Sequence, residues 1–306
     1  MILERGEPTG PTVAITGATG FIGRHLCDRF RRLGWQVRAL ARDTTAYPFA
    51  ERGVTSYACD LPDRLDERAL DSARVVIHAA YVTRHGHLEE ARRVNDLGTR
   101  QVLSAARRAG VEQLVFISSQ SAHDAALSYY GRSKLEMERL FVAPGVPGGL
   151  AIRPGLVLGP GQAGLFHRMC ETVRGARLVP LFDGGRQPLQ TVHVDDLGAA
   201  ITAAVQQRRA GVFTVAEPEP VGMRGFLELL AARLGRKPRF VSVPLGPALA
   251  ALRAIELTGL PFPVSSENLL GLKQMRAVDT RADLAALGVS ARPAGVSLAE
   301  IFPSPP

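Results

Sequence analysis

Eight residues near the start of the chain restrict its fold more than any others: Thr16-Gly17-Ala18-Thr19-Gly20-Phe21-Ile22-Gly23. They follow the β-branched run Thr12-Val13-Ala14-Ile15 and open a helical pattern that continues through Leu33. A strand that passes into a helix through such a turn forms a phosphate cradle. Gly17 permits the tight turn, Gly20 lets backbone N–H groups approach a pyrophosphate, and Gly23 lets the helix press against the sheet. A dinucleotide is the ligand this turn leads one to expect.

The rest of the first half repeats the same rhythm. Strands are expected at Trp35 to Ala41, Val54 to Ala58, Arg74 to His78, Leu114 to Ser118 and Leu150 to Arg153, with helices at Leu88 to Ala109 and Ser128 to Val142. Alternating strands and helices imply a parallel sheet covered on both faces, with right-handed crossovers. Beyond Pro154 the rhythm degrades, and Gly155 to Gly164 and Pro180 to Pro188 read as excursions from the sheet. Val192-His193-Val194-Asp195-Asp196 reads as a strand end leading into a helix that reaches Val205, and Phe213 to Val215 as a return to the sheet. Helices are expected at Met223 to Leu234, Pro247 to Leu257 and Arg281 to Leu287. The expected architecture is α/β and doubly wound, with residues 1–154 and 190–216 in a nucleotide-binding domain. Residues 155–189 and 217–306 then form a smaller substrate region.

Composition excludes several classes. The 306 residues are 46% hydrophobic, enough for a large core, and the net charge is +8. Only Lys134, Lys237 and Lys273 are lysines among 37 basic residues, and the arginines are scattered among 29 acids with no basic run or interleaved aromatics. That is a solvated surface, so no nucleic-acid partner is expected. Cys27, Cys59 and Cys170 are odd in number and far apart, which suits a reducing cytoplasm and no zinc site. Met1 to Gly10 carries Glu4, Arg5 and Glu7 where a signal peptide needs an apolar core. The apolar stretch Pro244 to Val264 is broken by Arg253, Glu256 and four prolines, so no membrane partner is expected. His85-Gly86-His87 near Glu89 and Glu90 lacks metal-ligand spacing, and His167 and His193 read as ordinary polar residues. No Ser-His-Asp order with a strand elbow is present, which argues against a hydrolase.

Two groups can carry chemistry. Tyr130 and Lys134 lie four apart on an expected helix, so hydroxyl and ammonium share a face. A cation beside a phenol is expected to lower its pKa from about 10, as a general acid/base for a carbonyl/alcohol pair requires. Ser119 ends the fifth strand, where ligands sit in open α/β sheets, and can donate to a substrate oxygen.

These features recur together in one family. Thr16 to Gly23, Asp60-Leu61, His78-Ala79-Ala80, Asn95 within Val94 to Thr99, Ser118-Ser119, Tyr130-x-x-x-Lys134, Arg153-Pro154 and Val194-Asp195-Asp196 are in its order. The chain resembles the extended short-chain dehydrogenase/reductase family, also called the NAD-dependent epimerase/dehydratase family, over Thr12 to Leu197. The resemblance implies a Rossmann fold. It implies that Tyr130 gives or takes the proton, that Lys134 holds the nicotinamide ribose, that Ser119 orients the substrate oxygen and that Asn95 supports the relay. Gly17, Thr19, Gly20, Phe21, Ile22, Gly23, Asp60, Leu61, Ala79, Ala80 and Pro154 would line the cofactor. A homodimer paired through the helices at Leu88 to Ala109 and Ser128 to Val142 is implied as well.

Cofactor choice turns on the end of the second strand, where an acid takes the 2′-hydroxyl of NAD and an arginine the 2′-phosphate of NADP. Ala41 stands at the acidic position and Arg42 follows, with Arg24 and Arg38 nearby, so NADP(H) is expected; Asp43 keeps NAD(H) as the second choice. Family members acting on nucleotide sugars usually carry asparagine where this chain has Leu156. They also carry an arginine before Val194-Asp195-Asp196, where this chain reads Gln187-Pro188-Leu189-Gln190-Thr191. His123-Asp124 replaces the usual Tyr-Gly, and only eleven positions separate Ser119 from Tyr130. Without those polar anchors a sugar diphosphate is disfavoured. Leu156 and Leu189 are expected to line a pocket for a small or hydrophobic ketone or alcohol. Two alternatives remain: a nucleotide-sugar epimerase or dehydratase that retains NAD(P), and a non-catalytic NADP-binding scaffold or sensor.

Overall fold

A computed structural model of the chain describes residues 10–82, 88–161, 164–258 and 265–303. His85 and His87 therefore lie outside the described residues. In chain order the strands are β1 (Thr12–Thr16), β2 (Gln36–Ala41), β3 (Thr55–Asp60), β4 (Arg64–Leu65), β5 (Val75–His78), β6 (Gln113–Ile117), β7 (Leu150–Pro154), β8 (Leu156–Leu158), β9 (Leu178–Phe182), β10 (Pro188–Leu189), β11 (Thr191–His193), β12 (Gly211–Val215), β13 (Val221–Gly222) and β14 (Arg239–Val243). The helices are α1 (Phe21–Arg32), α2 (Leu88–Arg92), α3 (Gly98–Arg108), α4 (Tyr129–Phe141), α5 (Leu165–Gly175), α6 (Val194–Gln206), α7 (Met223–Arg233), α8 (Leu245–Leu257), α9 (Ser266–Lys273), α10 (Arg281–Leu287) and α11 (Ala294–Ile301). Among the described residues no helix is long and apolar enough to cross a membrane.

Eight strands form the main sheet in the order β12-β7-β6-β5-β1-β2-β3-β4. β1 pairs in parallel with both β2 and β5, placing Thr16 opposite Leu40 on one side and His78 on the other. Strand order reverses at β1, and ligands of open α/β sheets bind in the crevice that such a reversal opens beyond the strand C-termini. All five residues of β1 are buried, as expected of a strand covered on both faces.

The chain divides into two compact units. The first comprises Met1–Ile117, Met137–Ile152 and Ile201–Val212; the second comprises Ser118–Glu136, Arg153–Ala200 and Phe213–Pro306. The sequence boundaries at 154, 190 and 216 follow chain order, whereas packing also groups 118–136, 153–154, 190–200 and 213–216 with the second unit. The reason is hydrogen bonding: Gln120 N donates to Pro154 O at 3.1 Å, and β8 pairs in parallel with β11.

In the first unit Phe116, Leu114 and Val76 pack under Val102, Ala105 and Ala106 of α3 and under Met137 and Phe141. The rings of Phe116 and Phe141 lie 5.1 Å apart. Burying each contributes roughly 1.5–3 kcal/mol. The expected single helix from Leu88 to Ala109 is instead α2, a π-helical turn at Arg93–Leu97, and α3. The second unit has its own core, built from Phe166, Cys170 and Val173 of α5, Phe226 and Leu230 of α7, and Leu298 of α11. The stretches expected to be excursions contain β8, β9 and β10. β9 pairs in parallel with the distant β14, which satisfies a backbone that looks irregular in sequence because of Pro180.

Candidate active site

In the first unit the glycine turn is built by close approach. Gly17 has φ +66°, and a Cβ there would lie 2.7 Å from the N and Cα of Ala80, while one on Gly23 would lie 2.2 Å from the Gly17 carbonyl oxygen. Only hydrogen fits at these points, so the loops after β1 and β5 meet at the reversal of the sheet. Polar bonds hold them: Ala80 N donates to Thr16 Oγ1 at 3.3 Å, and Thr16 Oγ1 lies 2.7 Å from His78 Nδ1. His78 Nε2 lies 2.9 Å from Thr99 Oγ1, so both ring nitrogens have hydroxyl partners. Asn95, 1% exposed on the π-helical turn, uses both ends of its carboxamide on Val82, accepting from N at 2.7 Å and donating to O at 3.1 Å. A π-helical insertion re-aims one residue of a helix, and here that residue holds the loop containing Ala79 and Ala80.

This cradle fits a dinucleotide. Gly20 begins α1 with no side-chain cap, and the first turn has no acid, so its N–H groups face no built-in carboxylate. Thr19, Phe21 and Ile22 are half-buried around the same turn. Leu61 packs on Gly98, where a Cβ would come within 2.7 Å of the leucine Cβ, and Asp60 is exposed at the end of β3.

At the end of β2, Ala41 is buried and Arg42 is exposed. Asp43 Oδ1 accepts from Thr45 Oγ1 at 2.6 Å and from Thr45 N at 2.8 Å, bonds that hold its carboxyl below the ordinary range. Arg38 is committed elsewhere: its guanidinium donates to the carbonyls of Arg68, Ala69 and Asp71 at 3.3, 3.2 and 2.5 Å. Arg24 lies over the ring of Tyr47, 5.8 Å from its centroid.

The second unit holds the candidate proton-handling groups. Tyr130 and Lys134 are one turn apart on α4, and the Tyr130 hydroxyl is hydrogen-bonded to the Ser119 side chain. Burial raises the Tyr130 pKa above its ordinary value, and the bond to Ser119 pulls the other way. The i, i+4 spacing predicts that the lysine ammonium lowers it; in the structure the loss of water around the phenol dominates. Lys134 is 4% exposed. The first turn of α4 sits tightly on the preceding loop, since a Cβ on Gly131 would lie 2.5 Å from the Ser121 carbonyl oxygen. Pro154 accepts the Gln120 N–H, Leu156 is half-buried, and Leu189 is 3% exposed inside the second core.

Three residues near these groups escaped the sequence argument. Gln190 ties Gln120 to Val278, accepting from Gln120 Nε2 and from Val278 N, each at 2.9 Å. Gln274 spans Ala125 O and Leu127 N, and Glu267 accepts from Tyr129 N at 2.6 Å. Each bonds backbone or side chain far away in sequence, which leaves no local periodicity to read.

A mostly parallel sheet reversing at β1, with a glycine cradle at that point, defines the class: a Rossmann-like protein that binds NAD(P). Within that class the chain belongs to the NAD dependent epimerase/dehydratase family, whose profile matches residues 13–216. It is 33% identical over 241 residues to the ceramide reductase of Caulobacter vibrioides, covering 76% of this chain and 73% of that protein. It is 25% identical over 291 residues to the mitochondrial NADH dehydrogenase (ubiquinone) 1 alpha subcomplex subunit 9 of Arabidopsis thaliana, covering 90% and 71%. Among solved structures it is similar to MoeE5 in complex with UDP-glucose and NAD, with a TM-score of 0.73 and 25% identity over 95% of this chain and 97% of that one. The chain is thus an NAD(P)-dependent enzyme of the extended short-chain dehydrogenase/reductase type.

Proposed function

We propose that this chain is an NADP(H)-dependent reductase that interconverts a ketone and an alcohol on a small or hydrophobic substrate, with Tyr130 as acid/base. The observation that carries this reading is the hydrogen bond between the Tyr130 and Ser119 hydroxyls, with Lys134 one turn along the same helix. NADPH, when bound, supplies the hydride. The phenol, whose pKa is raised from an ordinary value already near 10, is protonated at neutral pH, the state from which Tyr130 gives a proton to a carbonyl oxygen. Ser119 donates to the same oxygen and orients it. Asn95 and Thr16 act at a distance from this step by fixing the loop at Ala79 and Ala80.

Three features support the finer choices. Arg42 is exposed at the end of β2 while the rival Asp43 carboxylate is held by Thr45, which favours a 2′-phosphate. The Gln190 carboxamide is used on Gln120, Glu217 and Val278, leaving no donor there for a sugar diphosphate. Leu156 stands where a hydrogen-bonding amide is usual, and the named activity of the Caulobacter relative concerns an apolar lipid. A homodimer belongs to the same reading. A hollow of about 400 Å³, lined by Arg100, Leu103, Arg107 and Arg108 of α3 and by Leu140, lies on the helices by which the family pairs.

The purified protein with apolar ketones should oxidise NADPH faster than NADH. Turnover of nucleotide sugars alone, with no net change in NADPH, would reject this reading in favour of an epimerase. NADPH binding without turnover of any ketone would reject it in favour of a scaffold. Sedimentation should give twice the chain mass, falling to the chain mass for Arg107→Glu, a change at an exposed position of the hollow.

A further inference from the structure

We infer that Glu267 and Gln274, in and just after α9, are positioning residues for the Ser119–Tyr130 pair, holding the intervening stretch in the one shape that keeps the two hydroxyls in contact. This rests on the reading of that pair as the proton-handling groups.

Between Ser119 and the start of α4 there is no strand and no helix, yet Ala122, His123, Ala126 and Ser128 are buried. Buried irregular backbone needs partners for its N–H and C=O groups. Local turns supply two, Ala122 N to Ser119 O and Ala126 N to His123 O, both at 2.9 Å. Ser121 N also donates to Ser119 Oγ and Gln120 N to Pro154 O, both at 3.1 Å, and further partners come from well over a hundred residues away in sequence. At Ala125 and Leu127, which are exposed between the buried positions, the Gln274 carboxamide accepts from Leu127 N and donates to Ala125 O, so one side chain bridges both arms of the loop as a neighbouring peptide group does in a sheet. The Glu267 carboxylate accepts from Tyr129 N at 2.6 Å, and Ser128 Oγ accepts from Gly131 N at 3.2 Å. Between them they satisfy two of the orphan donors in the first turn of α4. A carboxylate at a helix N-terminus is also favoured by the dipole, and its hydrogen bond is charge-assisted.

The gripping segment is itself anchored at both ends. Ser265 and Asn268 form a capping box at the start of α9, and Ser266 donates from N and Oγ to the Glu256 carboxylate, each at 2.7 Å. Beyond Gln274, Val278 is tied to Gln190, which in turn holds Gln120, the residue following Ser119. The catalytic stretch is therefore held at its start through Gln120, at its middle through Ala125 and Leu127, and at its end through Tyr129. Tyr130 is the next residue, so a displaced helix start moves the phenol directly. An error of about 1 Å at a reacting group can cost on the order of a hundredfold in rate.

The test compares Glu267→Ala, Glu267→Gln and Gln274→Ala with the parent. Both alanine variants should lose at least about tenfold in kcat while the NADPH Kd stays within about twofold, and Glu267→Gln, which keeps an acceptor oxygen, should stay within about threefold in kcat. In the unliganded protein, amide exchange over residues 120–130 should accelerate in both alanine variants, with β1 and β5 exchanging as in the parent. Unchanged exchange over 120–130 in both variants, or an equal acceleration throughout β1 and β5, overturns the inference. A parent that reduces no ketone retires the proposed function alone, and the exchange measurement then decides this one.

Discussion

Tyr130 shows how one residue's environment sets its task. The residue is half-buried, its phenol is bonded to Ser119, and the loss of water around the phenol outweighs the bond, so its pKa lies above the ordinary phenol value. Replacing Tyr130 by Phe removes the proton and keeps the ring, so kcat for ketone reduction should fall by roughly 10²–10⁴. NADPH affinity, measured by fluorescence titration, should change little; a fall of similar size would show that the ring or the helix had moved. The cysteines are governed by the same physics with the opposite consequence. Burial pushes the Cys27 and Cys59 thiols up to about 12, with Asp28 and Asp60 adding to the effect. At pH 8 only about one molecule in ten thousand then carries a given thiolate, the reactive form. Neither cysteine should label with iodoacetamide in the native protein, and both should label in denaturant, as read by mass spectrometry.

At the scale of elements, the start of α4 sets two effects against each other at Gly131. Alanine is the better helix former by roughly 1 kcal/mol, which alone would stabilise a Gly131→Ala variant. Its Cβ would meet a backbone oxygen, Ser121 O, at 2.5 Å, and a backbone atom cannot rotate away. Overpacking of this kind costs roughly 1–3 kcal/mol, so the variant should unfold at lower urea and lose activity with it. The element pattern was readable where the chain pairs with itself nearby: the alternation from Thr12 to Pro154 and the helix Arg281–Leu287 follow from periodicity and turns. The π-helical turn was not, because one extra residue in a helix leaves the apolar pattern almost unchanged while it redirects Asn95. Nor was the pairing of β9 with β14, whose first residues in register are Leu178 and Arg239. Within the candidate site, the glycine cradle and the Tyr130-x-x-x-Lys134 spacing are local and therefore legible. The bonds of Gln190, Gln274 and Glu267 are not, and nothing in the sequence distinguishes Leu189 as a core residue from Leu156 as a half-buried one.

For the whole molecule, charge and burial together determine how stability depends on pH. Two histidines of the second unit are held below their ordinary pKa of 6.5: His123 by burial and then by the nearby Arg276, His193 by burial and then by Arg292. The Asp195 carboxylate, 3.6 Å from His193 Nδ1, opposes the shift without reversing it. In the folded chain both rings therefore stay neutral at pH values where the unfolded chain has protonated them. More protons on the unfolded state means that stability falls with falling pH. The contribution is complete above 6.5 and is lost as the pH drops from there toward the depressed folded values. Carboxylates do not share this window: Asp43, Asp66 and Asp279 are held below 3.8 by Thr45, Arg68 and Arg281 and remain charged throughout it. A chain that already carries a net charge of +8 gains further repulsion when either ring is forced to protonate. The melting temperature should accordingly decline between pH 7.5 and 5, and the double variant His123→Gln, His193→Gln should flatten that decline. An equally steep decline in the double variant would assign the acid sensitivity to other groups.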